Sequence, residues 1–260
     1  METPDFTRLG PCPGSHLLVI GGCGGIGKSL VDAARVIELR TIVMDLPASL
    51  ERREVEQAAD VIPVDLREES SIAAAFSTLR HSGVKLHGIA VCSGYTAGAD
   101  RIAELDTARF DDVLSGNLRG PVLALRQSVP HLAEGASIVL LSTAIGQIGA
   151  PGYAAYGASK AALNAITRIL AAELAPSVRV NGVAPGAVDT AFIRGGFGAG
   201  ATEDGDPERF DAGDYVARVP LGRMAVPDDV VGPVLFLLSE AARHITGQVL
   251  HVNGGAFMRD

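Results

Sequence analysis

The run Leu17-Leu18-Val19-Ile20-Gly21-Gly22-Cys23-Gly24-Gly25-Ile26-Gly27 joins a short apolar segment to a glycine cluster and then to a helical pattern over Ile26–Ile37. Four apolar residues bounded by glycine are too few for a helix and read as a buried strand. Glycine lets the backbone turn tightly and approach a ligand closely. A helix that begins in such a turn points its free N–H groups and positive dipole end at whatever sits there. Strand, glycine turn and helix in that order fit a pyrophosphate-binding turn. Gly21, Cys23, Gly24, Gly25, Ile26 and Gly27 are the candidate contacts. A glycine-rich turn with no ligand is the bland alternative.

Outward from this turn, strand-like runs at Thr41–Met44, Val61–Val64, Gly88–Cys92, Ser137–Leu141, Val178–Val183 and Val249–Val252 alternate with helical patterns. The helices are expected at Glu69–Ser82, Ala108–Leu132 (interrupted near Gly116–Pro121), Tyr153–Leu174 and Asp228–Ser239. Continuous apolar strands separated by helices indicate a parallel sheet covered on both faces. The expected fold class is α/β, a single-domain, Rossmann-type doubly wound parallel sheet of about seven strands. Residues 1–15 read as a loose arm and residues 16–260 as one domain. The Gly- and Asp-rich segment 191–219 reads as a substrate lid, because a long aperiodic stretch inside a compact domain is usually a binding loop.

Composition narrows the partners. The chain has 260 residues, 47% of them hydrophobic and 20% charged, enough for one sizeable core. A net charge of −8 with no basic stripe argues against nucleic acid. No apolar run approaches a membrane span, so no membrane partner is expected. Cys12, Cys23 and Cys92 are odd in number and far apart, which fits a reducing cytoplasm rather than a disulfide framework. The six histidines are scattered singly, and no metal site is expected.

Asp45 ends the second strand, 24 residues after Gly21. A carboxylate there can accept hydrogen bonds from both ribose hydroxyls of an adenosine and repel a 2′-phosphate. No Arg or Lys stands at Cys23, Gly24 or Leu46, so NAD(H) is expected in preference to NADP(H). The other reading is an exposed loop carboxylate. Asp65 and Leu66 either edge the adenine or serve the next helix, with Asp65 as its cap.

Tyr156-Gly157-Ala158-Ser159-Lys160 places a phenol and an ammonium four residues apart, on one helical face. A free phenol titrates near pH 10, and a close cation favours its ionised form. Bringing it to about 7 needs roughly 4 kcal/mol of differential stabilisation. The pair then reads as a general acid/base for a hydroxyl or a carbonyl. With only three lysines and four tyrosines in the chain, the pairing is informative. A surface Lys beside a half-buried Tyr is the structural alternative.

Together these residues resemble the short-chain dehydrogenase/reductase (SDR) family from about Leu17 to Phe257. Gly21-x-x-x-Gly25-x-Gly27 is similar to its cofactor turn, and Tyr156-x-x-x-Lys160 to its catalytic pair. Asn117 falls where the family keeps an Asn that holds a relay water. Arg179-Val180-Asn181-Gly182-Val183-Ala184-Pro185-Gly186 resembles the segment under the nicotinamide, with Val188 and Thr190 beyond it. Ile245-Thr246-Gly247-Gln248 and Asn253-Gly254-Gly255 resemble its C-terminal signature. The resemblance implies an NAD-dependent alcohol dehydrogenase/ketone reductase in which Asn117, Thr143, Tyr156 and Lys160 are catalytic. Ser93, Gly94, Tyr156, Lys160, Pro185, Gly186, Val188 and Thr190 join the glycine turn, Asp45, Leu46, Asp65 and Leu66 in binding the cofactor. It also implies a homo-oligomer, dimer or tetramer, paired through the helices over Ala108–Leu132 and Tyr153–Leu174.

Four features depart from the family. Ile20 stands where Thr is usual, and Val91-Cys92-Ser93-Gly94 stands for Asn-Asn-Ala-Gly. Both changes reduce polarity at neighbouring positions and suggest a hydrophobic or thiol contact there. Thirteen residues before Tyr156, where the family keeps Ser, is Thr143, with Ser142 in reserve. Asn253 replaces a more frequent Asp. The substrate lining implied is Gly94–Ala97, Ala144–Tyr153 and Ala187–Phe197, with Tyr95, Ile145, Gln147, Tyr153, Phe192 and Phe197 as its larger members. Such a set suits a moderately apolar small-molecule secondary alcohol or ketone. Arg194 either meets an anionic group or is a solvated lid residue. A 3-oxoacyl-carrier-protein reductase-like activity and a non-catalytic NAD-binding sensor or scaffold are the competing readings.

Overall fold

The computed structural model describes residues 9–52, 60–97, 100–195 and 210–258. Most of the expected arm, the middle of the expected lid and Phe197 lie outside the described residues. Seven parallel strands form one sheet in the order β3-β2-β1-β4-β5-β6-β7. They are β1 His16–Ile20, β2 Arg40–Asp45, β3 Asp60–Pro63, β4 Leu86–Val91, β5 Leu132–Leu141, β6 Arg179–Pro185 and β7 Val249–Val252. The main helices are α1 Gly25–Val36, α2 Pro47–Arg52, α3 Glu69–Ser82, α4 Thr107–Leu114, α5 Gly120–Ser128, α6 Ala154–Leu174, α7 Ala212–Val216 and α8 Pro227–Leu238.

The inner strands are mostly apolar because both faces of the sheet are covered. In β1, Leu17 and Val19 enter one cluster with Leu30, Val31 and Ala34 of α1 and Val230, Val234 and Leu237 of α8. Leu18 and Ile20, pointing the other way, enter a second cluster with Ile72, Phe76 and Leu79 of α3, Ala124 and Leu125 of α5 and Ala171 of α6. The period of two along a strand and the absence of a solvent face account for both clusters. Ile20 and Val91 share the second cluster, and the Cys92 N–H donates to the Ile20 carbonyl at 2.7 Å. The lost polarity at these positions is thus replaced by apolar packing.

Strand order reverses between β1 and β4, which opens a crevice at their C-terminal ends. Gly21 leaves β1 with φ +85°. A Cβ on it would lie 2.5 Å from the Ser93 backbone nitrogen, so the two strand exits approach as closely as only glycine permits. The interruption foreseen near Gly116–Pro121 is a π-helical turn over Ser115–Arg119, between α4 and α5. Pro121 has no N–H to offer the Asn117 carbonyl four residues back, and the helix widens there. The short helix α2 was not foreseen, since six residues carry too little periodicity to reveal it.

Gly21→Ala is expected to lose about 2 kcal/mol or more of stability, from left-handed strain and the clash with Ser93. Urea denaturation measures it, and an unchanged midpoint would mean that the two exits are free to separate.

Candidate active site

Helix α6 carries a buried stripe of Tyr156, Ser159, Lys160, Leu163, Asn164, Thr167 and Ala171. Alanines elsewhere favour the helix and let it lie close against the sheet. Lys160 is 3% exposed, so its ammonium must find acceptors inside. It donates to the Leu141 carbonyl at the end of β5 at 2.9 Å, and to the Ser93 carbonyl after β4 at 3.3 Å. Burial pushes its pKa down to about 8. A Cβ on Gly94 would sit 2.8 Å from Nζ and would have to displace the amine.

Tyr156 and Lys160 do share one face, with Nζ 5.9 Å from the phenol ring centre. The expected depression of the phenol is not found. Burial raises the Tyr156 pKa, and the hydrogen bond with the Thr143 side chain opposes this only in part. The ammonium is itself bonded to the Leu141 and Ser93 carbonyls. In this state Tyr156 holds its proton.

Thr143 and Ser142 have separate tasks. The Ser142 hydroxyl turns away and donates to the Lys160 carbonyl at 3.2 Å. The Thr143 hydroxyl donates to the Pro185 carbonyl at 3.4 Å and meets the Tyr156 side chain. Asn117 is fully buried. Its amide clasps the Tyr95 backbone, accepting from the N–H at 3.0 Å and donating to the carbonyl at 2.7 Å. The second amide contact, to the Ser159 hydroxyl at 3.5 Å, joins it to α6.

A cleft of about 310 Å³ opens beside this group, lined by Gly21, Cys23, Gly24, Asp45, Leu46, Asp65, Leu66, Ser93 and Gly94, all foreseen as cofactor contacts. Asp45 accepts the Cys23 N–H at 2.8 Å and the Leu46 N–H at 2.7 Å. Burial raises its pKa, and these N–H groups work against that rise. The Ser93 hydroxyl oxygen is buried with no hydrogen-bond partner among the described residues. An orphaned polar atom, a carboxylate and a glycine cradle in one cleft fit a dinucleotide.

Other candidates fall outside the cleft wall. Gly25 and Gly27 are packing positions, the first under the Thr190 side chain and the second under the Gly21 carbonyl. Ile26 packs against the core cluster of the α1 face. Pro185 ends β6 and Gly186, Val188 and Thr190 follow it, where the Tyr215 hydroxyl of α7 accepts the Ala187 N–H at 2.9 Å. Asp65 does not cap α3; its carboxylate binds Arg67. Among the substrate candidates, the Phe192 ring lies tilted against Tyr156 with ring centres 5.6 Å apart, and Tyr153 lines a small hollow beside it with Thr96 and Phe110. Gln147 meets the His251 ring at 3.2 Å, and Ile145 lies against Gly157. Tyr95, also a substrate candidate, lines the cleft, and its hydroxyl donates to Asp112 at 2.6 Å. Arg194 pairs with Asp189 at 2.7 Å near the surface. His251, Arg67 and Asp112 had no local sequence signal; each acquires its place from a distant partner.

Comparison with known proteins agrees with this geometry. A family model described as enoyl-(acyl carrier protein) reductase matches residues 22–256. An uncharacterized short-chain type dehydrogenase/reductase of Sinorhizobium fredii is 33% identical over 94% of the chain, which spans 44% of that protein's length. The match to a Methylorubrum extorquens oxidoreductase takes in 59% of its length. The 3-oxoacyl-(acyl-carrier-protein) reductase FabG of Aquifex aeolicus is 31% identical, covering 94% of this chain and 98% of that one. A Brucella melitensis crystal structure titled as an SDR glucose/ribitol dehydrogenase superposes with a TM-score of 0.85 at 26% identity, over 96% of this chain and 99% of that one. No helix among the described residues is long and apolar enough to cross a membrane.

The buried amine makes stability depend on pH. The folded pKa of Lys160, about 8, lies below the unfolded value of 10.5, so the unfolded chain binds more protons between them. Wild type is expected to gain stability relative to Lys160→Met as pH climbs from 8 to 10.5, by roughly 3 kcal/mol at most, and to show no change of that difference below 8. Melting curves of both proteins across this range read the effect; a flat difference would place the amine in solvent.

Proposed function

Because the chain belongs to the short-chain dehydrogenase/reductase family, we propose that it transfers a hydride between NAD(H) and a secondary alcohol or ketone. The observation that carries this reading is the contact of Tyr156 with Thr143 beside a buried Lys160, at the edge of the nucleotide cleft. The nicotinamide supplies the hydride chemistry when bound. Thr143 hydrogen-bonds the substrate oxygen. Tyr156 gives its proton to a carbonyl oxygen in reduction and takes it from a hydroxyl in oxidation. Lys160 supplies the cation near the phenol and a donor for the ribose. Asn117 holds a water that links Lys160 to solvent.

Preference for NAD(H) over NADP(H) rests on Asp45, whose carboxylate lines the cleft and would repel a 2′-phosphate. Pro185, Gly186, Val188 and Thr190 would support the nicotinamide. Ile145, Gln147, Tyr153 and Phe192 would line the substrate side, a mostly apolar wall. A carrier-bound 3-oxoacyl substrate is the second reading, favoured by the likeness to the Aquifex reductase. For assembly we propose pairing through α4, α5 and α6, the last of which exposes Ile169. Cytoplasmic localisation remains the reading from cysteine usage.

Tyr156→Phe should abolish turnover of secondary alcohols, followed by NADH absorbance, while NADH still binds. Wild-type rates in that variant would remove the proton-transfer role. Thr143→Ala should lower kcat about 10²-fold or more, whereas Ser142→Ala, away from the phenol, should act mainly on stability. Equal loss of kcat in the two would contradict the division of labour. Asp45→Ala should raise the affinity for NADPH relative to NADH, measured by fluorescence titration; an unchanged ratio would remove the carboxylate's selecting role.

A further inference from the structure

Arg67 is a cation in the wall of the nucleotide cleft, two residues beyond Asp65. Its guanidinium is fixed in orientation by three hydrogen bonds. Nε donates to Asp65 Oδ1 at 3.0 Å, Nη2 to Asp65 Oδ2 at 2.7 Å and Nη1 to Asp112 Oδ1 at 3.4 Å. The forked grip on one carboxylate aligns the two planar groups, and the second carboxylate holds the far end. Asp112 is secured in turn by the Tyr95 hydroxyl. These bonds occupy the edges of the guanidinium and leave its flat face as the uncommitted surface, with the side chain still 35% exposed.

Two parts of a dinucleotide could meet an arginine here, a phosphate or the adenine base. One cation held between two carboxylates leaves a formal charge of −1 for the group, which offers no net attraction to a phosphate. A planar, weakly hydrated guanidinium does favour an aromatic face. Leu66, adjacent in sequence and also in the cleft wall, adds an apolar surface beside it.

We propose that Arg67 is a stacking platform for the adenine ring, recognising the base by its plane and not by its charge, with Asp65, Asp112 and Tyr95 as the residues that orient it. This rests on reading the cleft as the NAD site. The consequence is selective: Arg67 serves the adenosine half of the cofactor and has no part at the nicotinamide.

Calorimetric titration with AMP, NADH, 2′,5′-ADP and reduced nicotinamide mononucleotide tests it on wild type, Arg67→Leu and Arg67→Lys. Both variants are expected to bind AMP and NADH about 5-fold or more weakly, with the mononucleotide unaffected. Lysine keeps the charge but lacks the plane and the fork, so it should not rescue. Unchanged AMP affinity in Arg67→Leu, or full affinity in Arg67→Lys, would overturn the proposal. So would a loss confined to 2′,5′-ADP, which would make Arg67 a phosphate ligand. Should Arg67→Leu not fold, the Lys variant decides alone. Wild type that binds neither AMP nor NADH would remove the NAD-site reading itself, a result distinct from AMP that binds regardless of residue 67.

Discussion

Lys160 carries an ammonium into the interior, and the carbonyls that receive it belong to two different strand ends, Leu141 at the end of β5 and Ser93 after β4. Leaving such a group without acceptors would cost several kcal/mol, so α6, β4 and β5 are held in one register by the need to satisfy it. Ser142 adds to the same tie, bonding the Lys160 carbonyl from the strand side. With α6 fixed in this way, Tyr156 one turn earlier is brought to Thr143, and Ser159 faces Asn117. The chemistry of the site therefore follows from how one buried amine is accommodated.

The second constraint is the close passage of Gly21 and Ser93 at the reversal of strand order. It brings the glycine turn, Asp45 and the segment after β4 around a single cleft. The polar groups of that cleft are bonded mostly to one another. Asp45 takes N–H groups from Cys23 and Leu46, and Asp65 takes Arg67. Such prior bonding fixes side chains before a ligand arrives, which lowers the ordering cost of binding. The same segment reaches the catalytic side through Asn117, whose amide holds the Tyr95 backbone.

Much of this was written in local pattern. The apolar runs located all seven strands, and α3 was foreseen at its observed limits because its apolar period and the following Gly83 mark both ends. The glycine turn, Asp45 and the Tyr156/Lys160 pair were legible because each depends on spacing within one element or one turn. The limits of α4 and α5 were less so, since the π turn between them answers to Pro121 and to the contact of Gly116 with Tyr95.

What the sequence by itself determined was the layered α/β architecture, the place of the glycine turn and the shared helical face of Tyr156 and Lys160. These follow from side-chain periodicity, backbone permissiveness and i,i+4 geometry, all short-range properties. Only the tertiary structure decided that burial raises the Tyr156 pKa, that Thr143 and not Ser142 meets it, and that Tyr95 and Arg67 join across Asp112. Those outcomes depend on burial and on partners far apart in the chain, as with Arg67 and Asp112, which are separated by 45 residues. Dielectric environment and long-range hydrogen bonding have no signature in a local string of residues.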